Sequence, residues 1–212
     1  MPQITALSLQ KNDPERINVE IDGRFAFGIS RMLAASRGLS TGQELTPAEV
    51  EALRHDDDAE RAHNAALNFL TFRPRSNKEI ADYLRKRKTE PEVIAAVVER
   101  LQGSGLIDDD EFARFWVENR QSFRPRGSRA LRAELRQKGL AADVIEGTLN
   151  NLGDEEPAAI KAGRSKLRSY EKLEDAEFVR KMTAFLQRRG FAYDVSARAA
   201  RQLLEESDRG IS

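Results

Sequence analysis

Two histidines, two aspartate triplets and no cysteine are all that this chain of 212 residues offers for bond-making chemistry. His55 and His63 stand eight apart in a polar stretch, with no serine or carboxylate at a spacing that would make a nucleophile and base pair. Asp56-Asp57-Asp58 and Asp108-Asp109-Asp110 suggest a two-metal nuclease centre, since paired carboxylates hold magnesium for phosphodiester cleavage. Each triplet also precedes an expected helix start, where carboxylates meet the positive end of the dipole, and that placement accounts for them without a metal. A glycine-rich phosphate loop is absent. The sequence therefore assigns no catalytic residue, no metal ligand and no cofactor, and the protein reads as a non-enzyme.

The remaining chemistry is non-covalent and basic. Lys+Arg and Asp+Glu balance at 35 each, yet residues 73–88, 124–138 and 180–189 carry 7, 6 and 4 cations against 2, 1 and 0 anions. Those three stretches hold a net +14 and the rest of the chain −14. Segregation of this kind fits a basic strip aimed at a polyanion or an acidic protein face. The candidate partner-binding residues are Arg73, Arg75, Lys78, Arg85 and Arg87 in the first stretch; Arg124, Arg126, Arg129, Arg132, Arg136 and Lys138 in the second; and Arg180, Arg188 and Arg189 in the third. Cations on helix backs often do no more than solvate them. Here they recur at matching positions, which argues for a shared surface.

The match comes from an internal repeat. Phe72-Arg73-Pro74-Arg75 returns as Phe123-Arg124-Pro125-Arg126, a gapless shift of 51, and a second shift brings Arg180–Gly190 into register at its apolar positions. Fixed-period self-similarity marks a stack of supersecondary units. Ile80, Tyr83 and Leu84, then Leu131 and Leu135, then Met182, Phe185 and Leu186 fall on one helical face. Lys78, Arg129 and Arg180 lie about 160° from that face on a helical wheel of 100° per residue, and Arg87, Lys138 and Arg189 are likewise equivalent. A second apolar stripe follows in each copy, for example Val93, Ile94, Val97 and Leu101, and predicts a second helix packed on the first. Lys138-Gly139 and Arg189-Gly190 at the junctions suit a left-handed helix terminus. Phe112, Phe115 and Trp116 share a face of a preceding helix and are expected in the core, so each unit contains three helices.

Ahead of the repeats, Ile4–Leu9 and Ile17–Ile21 alternate across the turn-prone Lys11–Glu15, and Asp22-Gly23 precedes Phe25–Ile29. This predicts a three-stranded antiparallel meander. A short helix over 31–37 is closed by Gly38. Thr46-Pro47-Ala48-Glu49 then opens a helix to about Arg54, which leads through the first triplet to another helix over 60–72. Ser76–Glu79 and Asp108–Glu111 read as further capping boxes. The third unit starts near Glu156-Pro157, replaces Arg-Pro-Arg by Asp175-Ala176-Glu177, and is expected to fray over 208–212. The fold class is mainly α: tandem three-helix repeats in an elongated, curved stack behind a small N-terminal β-meander. The expected divisions are 1–59 for the β-rich part with its linking helix, then repeats at 60–107, 108–155 and 156–212.

No apolar run reaches the length of a membrane span and no leader pattern opens the chain, so a cytoplasmic monomer is expected. The Phe-Arg-Pro-Arg-Ser motif, Leu106-Ile107-Asp108-Asp109 with Phe112-Ala113 and Trp116-Val117, and Arg124-Pro125-Arg126-Gly127 with Glu134–Gly139 resemble the RecX family of RecA modulators. The resemblance is strongest over 60–152, weaker in the third repeat, and extends to Asp22-Gly23 and Phe25–Gly28. It implies a partner, the RecA filament on single-stranded DNA, held in the filament groove. It also implies inhibition of ATP hydrolysis, strand exchange and coprotease activity, and promotion of disassembly. One position departs from the family pattern: where members carry glycine and an aromatic, this chain has Lys88-Thr89, so the helix is expected to run on through Lys88. The rival reading is a protein that contacts DNA directly through its basic face, without RecA. It is disfavoured by the lack of exposed aromatics among the cations, which stacking on single strands would need.

Overall fold

The computed structural model describes residues 1–209, which form two compact units. The first comprises Met1–Arg73 and Ala81–Leu101, the second Pro74–Ile80 and the chain from Gln102 onward.

In the first unit β1 (Ile4–Gln10), β2 (Asp13–Ile21) and β3 (Arg24–Ser30) form an antiparallel meander in the order β1-β2-β3. The second hairpin turns on Asp22 (φ 49°) and Gly23 (φ 75°), between the paired Ile21 and Arg24. Two successive positive φ values match the right-handed twist of the flanking strands, and Asp-Gly supplies them cheaply. The first hairpin is tighter than its composition suggested: Gln10 pairs with Asp13, so Asp13-Pro14-Glu15 belong to β2 and only Lys11-Asn12 turn. Proline is tolerated there because it sits near a strand start.

Ile4, Val19, Phe27 and Ile29 form the buried face of the sheet, closed by Leu33 and Ala34 of α1 (Arg31–Ser36), by Leu45, and by Leu53 of the helix that follows. α2 runs unbroken from Pro47 to Leu70, starting at a complete capping box in which Glu49 N–H donates to Thr46 Oγ1 and Thr46 N–H to the Glu49 carboxylate. The expected break at the first triplet does not occur. Asp57 lies mid-helix, 3% exposed, accepting from Ser30 N–H at 2.8 Å and Arg16 Nη2 at 2.7 Å, so that it pins the helix to β2 and β3. A buried carboxylate held by a guanidinium and an amide satisfies its charge without a dipole or a metal.

α3 (Asn77–Lys86) and α4 (Pro91–Gly103) complete the first three-helix repeat, burying Leu84, Val93, Ile94, Val97 and Leu101. In the second repeat α5 (Asp109–Phe123), α6 (Ser128–Gln137) and α7 (Ala142–Asn150) enclose Phe112, Leu131, Leu135, Ile145 and Leu149. In the third, α8 (Glu156–Arg164), a four-residue α9 (Leu167–Tyr170), α10 (Asp175–Arg188) and α11 (Tyr193–Arg209) surround Phe178, Met182, Leu186, Phe191 and Leu203. Asp175 and Glu177 form the first turn of α10, so the third copy is helical where Arg-Pro-Arg is not. α11 continues to Arg209, and the rest of the expected fraying segment, 210–212, lies outside the described residues.

The repeat length survives in the backbone. Lys88, Gly139 and Gly190 all adopt positive φ, at 63°, 85° and 93°, and each ends its helix the same way. Their N–H groups donate to Arg85, Arg136 and Gln187, and those of Thr89, Leu140 and Phe191 to Leu84, Leu135 and Leu186. The departure at Lys88 therefore changes the residue and leaves the turn intact, contrary to the expected helical extension. A side chain is tolerated in a left-handed position when the next helix has to start on time; α4, α7 and α11 begin at 91, 142 and 193.

Candidate basic interface

Within the second unit one device is used twice. Ser76 Oγ donates to Lys138 O at 2.7 Å, and 51 residues on Gly127 N–H donates to Arg189 O at 3.1 Å. The next amide along is taken by a carboxylate from the following copy: Asn77 N–H by Asp109 at 3.0 Å, Ser128 N–H by Glu155 at 2.9 Å. Each carboxylate meets amides that the helix itself cannot pair. This is what the second triplet does. Asp108 caps α5 through the N–H groups of Asp110 and Glu111, while Asp109 bonds both the amide and the side chain of Asn77. Burial first, then the neighbouring Asp108 and Asp110, raises the Asp109 carboxyl above its ordinary range against the pull of the Asn77 bonds. Among the described residues no group of three or more histidines, cysteines and carboxylates could hold a metal.

The close fit at these junctions depends on glycine. A Cβ at Gly127 would lie 2.4 Å from the backbone of Gly190 and Phe191, one at Gly190 2.4 Å from Ala130, and one at Gly139 2.6 Å from the stem of Lys78.

The candidate cations divide under this geometry. Lys138 is half-buried; its ammonium bonds Glu79 at 2.6 Å and stands 4.5 Å from the centre of the Trp116 ring. Arg189 is half-buried over Phe185 at 5.3 Å, and burial, then Arg126 and Arg124, lowers its pKa. Arg87 folds over Tyr83 at 5.4 Å. The three residues expected to be equivalent and solvent-facing are thus equivalent in lying on aromatic rings, where a cation meets the negative π face.

Arg126 joins Arg120 and the Trp116 indole around Glu134. Trp116 Nε1 donates at 2.8 Å and Arg120 Nε at 2.7 Å to one oxygen, and Arg126 Nε stands 2.9 Å from the other, an ion pair rather than an aligned hydrogen bond. Arg132 makes a two-pronged pair with Glu146, which lowers that carboxyl's pKa. Arg85 pairs with Asp82 one turn away. Arg73 and Arg75 are half-buried and engaged.

Lys78, Arg129 and Arg180 are exposed on α3, α6 and α10, Arg180 with Glu177 at 3.6 Å. Arg124, Arg136 and Arg188 are exposed too, and none of these three is in an ion pair.

Sequence reasoning missed one feature. Phe72 and Phe123, the aromatic residues of the two Phe-Arg-Pro-Arg motifs, are 83% and 78% exposed, so aromatic rings do stand beside Arg73 and Arg124. Their letter-for-letter recurrence is the signal that marks them. Trp116 was expected in the core and is only half-buried, carrying Arg120 at 4.3 Å as well as Lys138.

A meander followed by repeating three-helix units defines a helical-repeat protein. Comparison with known proteins narrows the class. The sequence matches the regulatory protein RecX N-terminal domain over residues 2–46, and the first, second and third RecX three-helix domains over 62–101, 108–149 and 154–200. It is 34% identical to regulatory protein RecX of Bacillus subtilis over 98% of this chain and 80% of that one. With its counterpart in Lactobacillus gasseri it shares 32% over 98% and 77%. A crystal structure of regulatory protein RecX superimposes with a TM-score of 0.72 at 25% identity, covering 92% of this chain and 97% of the other. That of RecX from Lactobacillus salivarius shares the fold, with a TM-score of 0.62 over 70% and 97%. The chain belongs to the RecX family of regulatory proteins. No helix among the described residues is long and apolar enough to cross a membrane.

Proposed function

We propose that the protein regulates RecA by binding its filament on single-stranded DNA, seating the exposed cations of its repeats in the filament groove. There it inhibits ATP hydrolysis, strand exchange and coprotease activity by blocking growth or promoting disassembly. The observation that carries this reading is the exposure of Lys78, Arg129 and Arg180 at matching positions, beside junction cations that are turned to architecture. Several weak contacts on one chain, each meeting a neighbouring protomer, gain from effective concentration, so no single repeat needs high affinity. A ligand bridging subunits would also resist the rearrangements that ATP turnover imposes.

The test is RecA-catalysed ATP hydrolysis on single-stranded DNA with the intact protein and with Lys78→Glu/Arg129→Glu/Arg180→Glu. The triple variant, at unchanged helicity, should lose inhibition; full inhibition by it would remove the strip as the contact. Phe72 and Phe123 beside arginines favour a second reading, direct contact with single-stranded DNA, since exposed rings among cations can stack on bases. Tight binding to naked DNA with a steep salt dependence, undiminished by the triple substitution and lost with Phe72→Ala/Phe123→Ala, would move the activity there.

A further inference from the structure

Apart from the shared Phe72 and Phe123, the helices that open the first two repeats carry their aromatic residues at different places, Phe69 in α2 and Phe112, Phe115 and Trp116 in α5. Arg61 and Ala65 of α2 stand 51 residues before Phe112 and Trp116 of α5, in a stretch that aligns without a gap from 58 to 93. In the second repeat the two rings stack at 5.8 Å and pack on the cluster holding Leu135 and Val144. In the first repeat no aromatic occupies those positions, and a cavity of about 270 Å³ opens beside Ala65, Leu84 and Val93, the counterparts of Trp116, Leu135 and Val144. Arg87 stands at its edge, as its counterpart Lys138 stands over the Trp116 ring.

We propose that this notch receives an aromatic side chain from a partner protein, seated on Ala65 and Leu84, with Lys88 and Arg87, the latter lying over Tyr83, at its rim. The second repeat shows the filled form of the same site, with an indole held by cations and its N–H on a carboxylate. The third repeat also fills the position, with the larger Leu167, which packs on its core. Only in the first copy is the position as small as alanine.

The rim decides the partner's chemistry. Arg61 is matched by Asp58 at 3.9 Å, whereas Arg87 and Lys88 are in no ion pair, so an aromatic residue flanked by carboxylates complements the edge. Asp58 and Glu90 also border the notch, so the complementary carboxylates are those placed to meet Arg87 and Lys88. The proposal does not depend on RecA being the partner, because it concerns a site within the first unit and rests on the comparison between copies.

The test is methyl-detected NMR of the intact chain titrated with the peptide acetyl-Asp-Trp-Asp-amide, and separately with acetyl-Asp-Ala-Asp-amide and with oligo(dT). Only the tryptophan peptide should produce saturable ring-current shifts at the Ala65, Leu84 and Val93 methyls. Ala65→Trp, which supplies the ring internally, should abolish them. Should that variant misfold by circular dichroism, Arg87→Gln/Lys88→Gln decides instead, with an expected loss of about threefold in affinity as the ligand's carboxylates lose the cations they meet. Shifts with oligo(dT) and none with the tryptophan peptide would make the notch a base site. Equal response to both peptides, or no response to any ligand, would leave it a packing defect and end the proposal.

Discussion

Replacing Lys88 by glycine should stabilise the protein, and the sign can be worked from the three equivalent turns. Lys88 holds φ 63° where its counterparts Gly139 and Gly190 hold 85° and 93°. A left-handed conformation costs a residue with a Cβ about 1–2 kcal/mol. Glycine recovers that but surrenders about 0.5–1 kcal/mol of extra chain entropy in the unfolded state. The net gain is about 0.5–1 kcal/mol, or a rise of roughly 0.3–0.5 M in the urea midpoint at an ordinary slope of about 2 kcal/mol/M. Charge relief is a competing cause, because Lys88 ends the run Arg85-Lys86-Arg87-Lys88. Lys88→Gln separates the two: it removes the charge and keeps the Cβ. Urea denaturation followed by far-ultraviolet circular dichroism should show a gain for Lys88→Gly and little for Lys88→Gln. If both gain equally, repulsion rather than backbone conformation is the cause. If glycine destabilises, the turn is not strained and its equivalence with the other two is only geometric.

Four further outcomes follow from the packing. Asp57→Ala leaves Arg16 and the Ser30 amide without their acceptor in a site that is 3% exposed, and should cost about 3 kcal/mol in the same denaturation experiment. Gly127→Ala drives a Cβ into the backbone of Gly190 and should cost about 2 kcal/mol in a transition followed by Trp116 fluorescence. Gly147→Ala, in mid-helix with open space around it, should gain about 0.5–1 kcal/mol. His63 has its pKa lowered by burial first and by Arg100 second, so the folded state binds its proton less readily than the unfolded chain does. Its contribution to stability is therefore complete above the unfolded value of 6.5 and is lost as pH falls through that value toward the depressed folded one; His63→Gln should flatten the midpoint against pH on the acid side of 6.5.

The repeat was legible in the sequence because a helical repeat buries the same face in every copy, and Leu84, Leu135 and Leu186 are all buried. The hairpin at Asp22-Gly23 was legible for a similar reason: few residues accept two successive positive φ values. Asp57 was not. Its acceptor role depends on Arg16 and Ser30, 41 and 27 residues away, and local pattern carries no information about partners at that distance. A triplet of aspartates favours a helix start only when nothing buries the middle one. Lys88 misled in the opposite direction, since a local penalty of about 1 kcal/mol is small beside the packing of Val93, Ile94 and Val97 that fixes where α4 must begin.

The least legible distinction lies within the basic face itself. Lys78 and Lys138 look alike in the sequence, each a lysine at a repeated helical position, yet Lys138 bonds Glu79, covers Trp116 and accepts Ser76 Oγ at its carbonyl. Charge reversal at Lys138 would set a carboxylate against Glu79 and loosen the junction that positions α3. A loss of regulation in that variant would then report on architecture, not contact. The same holds for Arg189, whose carbonyl takes Gly127 N–H and whose side chain lies on Phe185. A partner surface can be mapped on this chain only from cations whose removal leaves the junctions standing: Arg129 and Arg180 in the first instance, then Arg124, Arg136 and Arg188. Lys78 is informative when its replacement keeps Cβ and Cγ, as glutamate does, because its stem packs against Gly139.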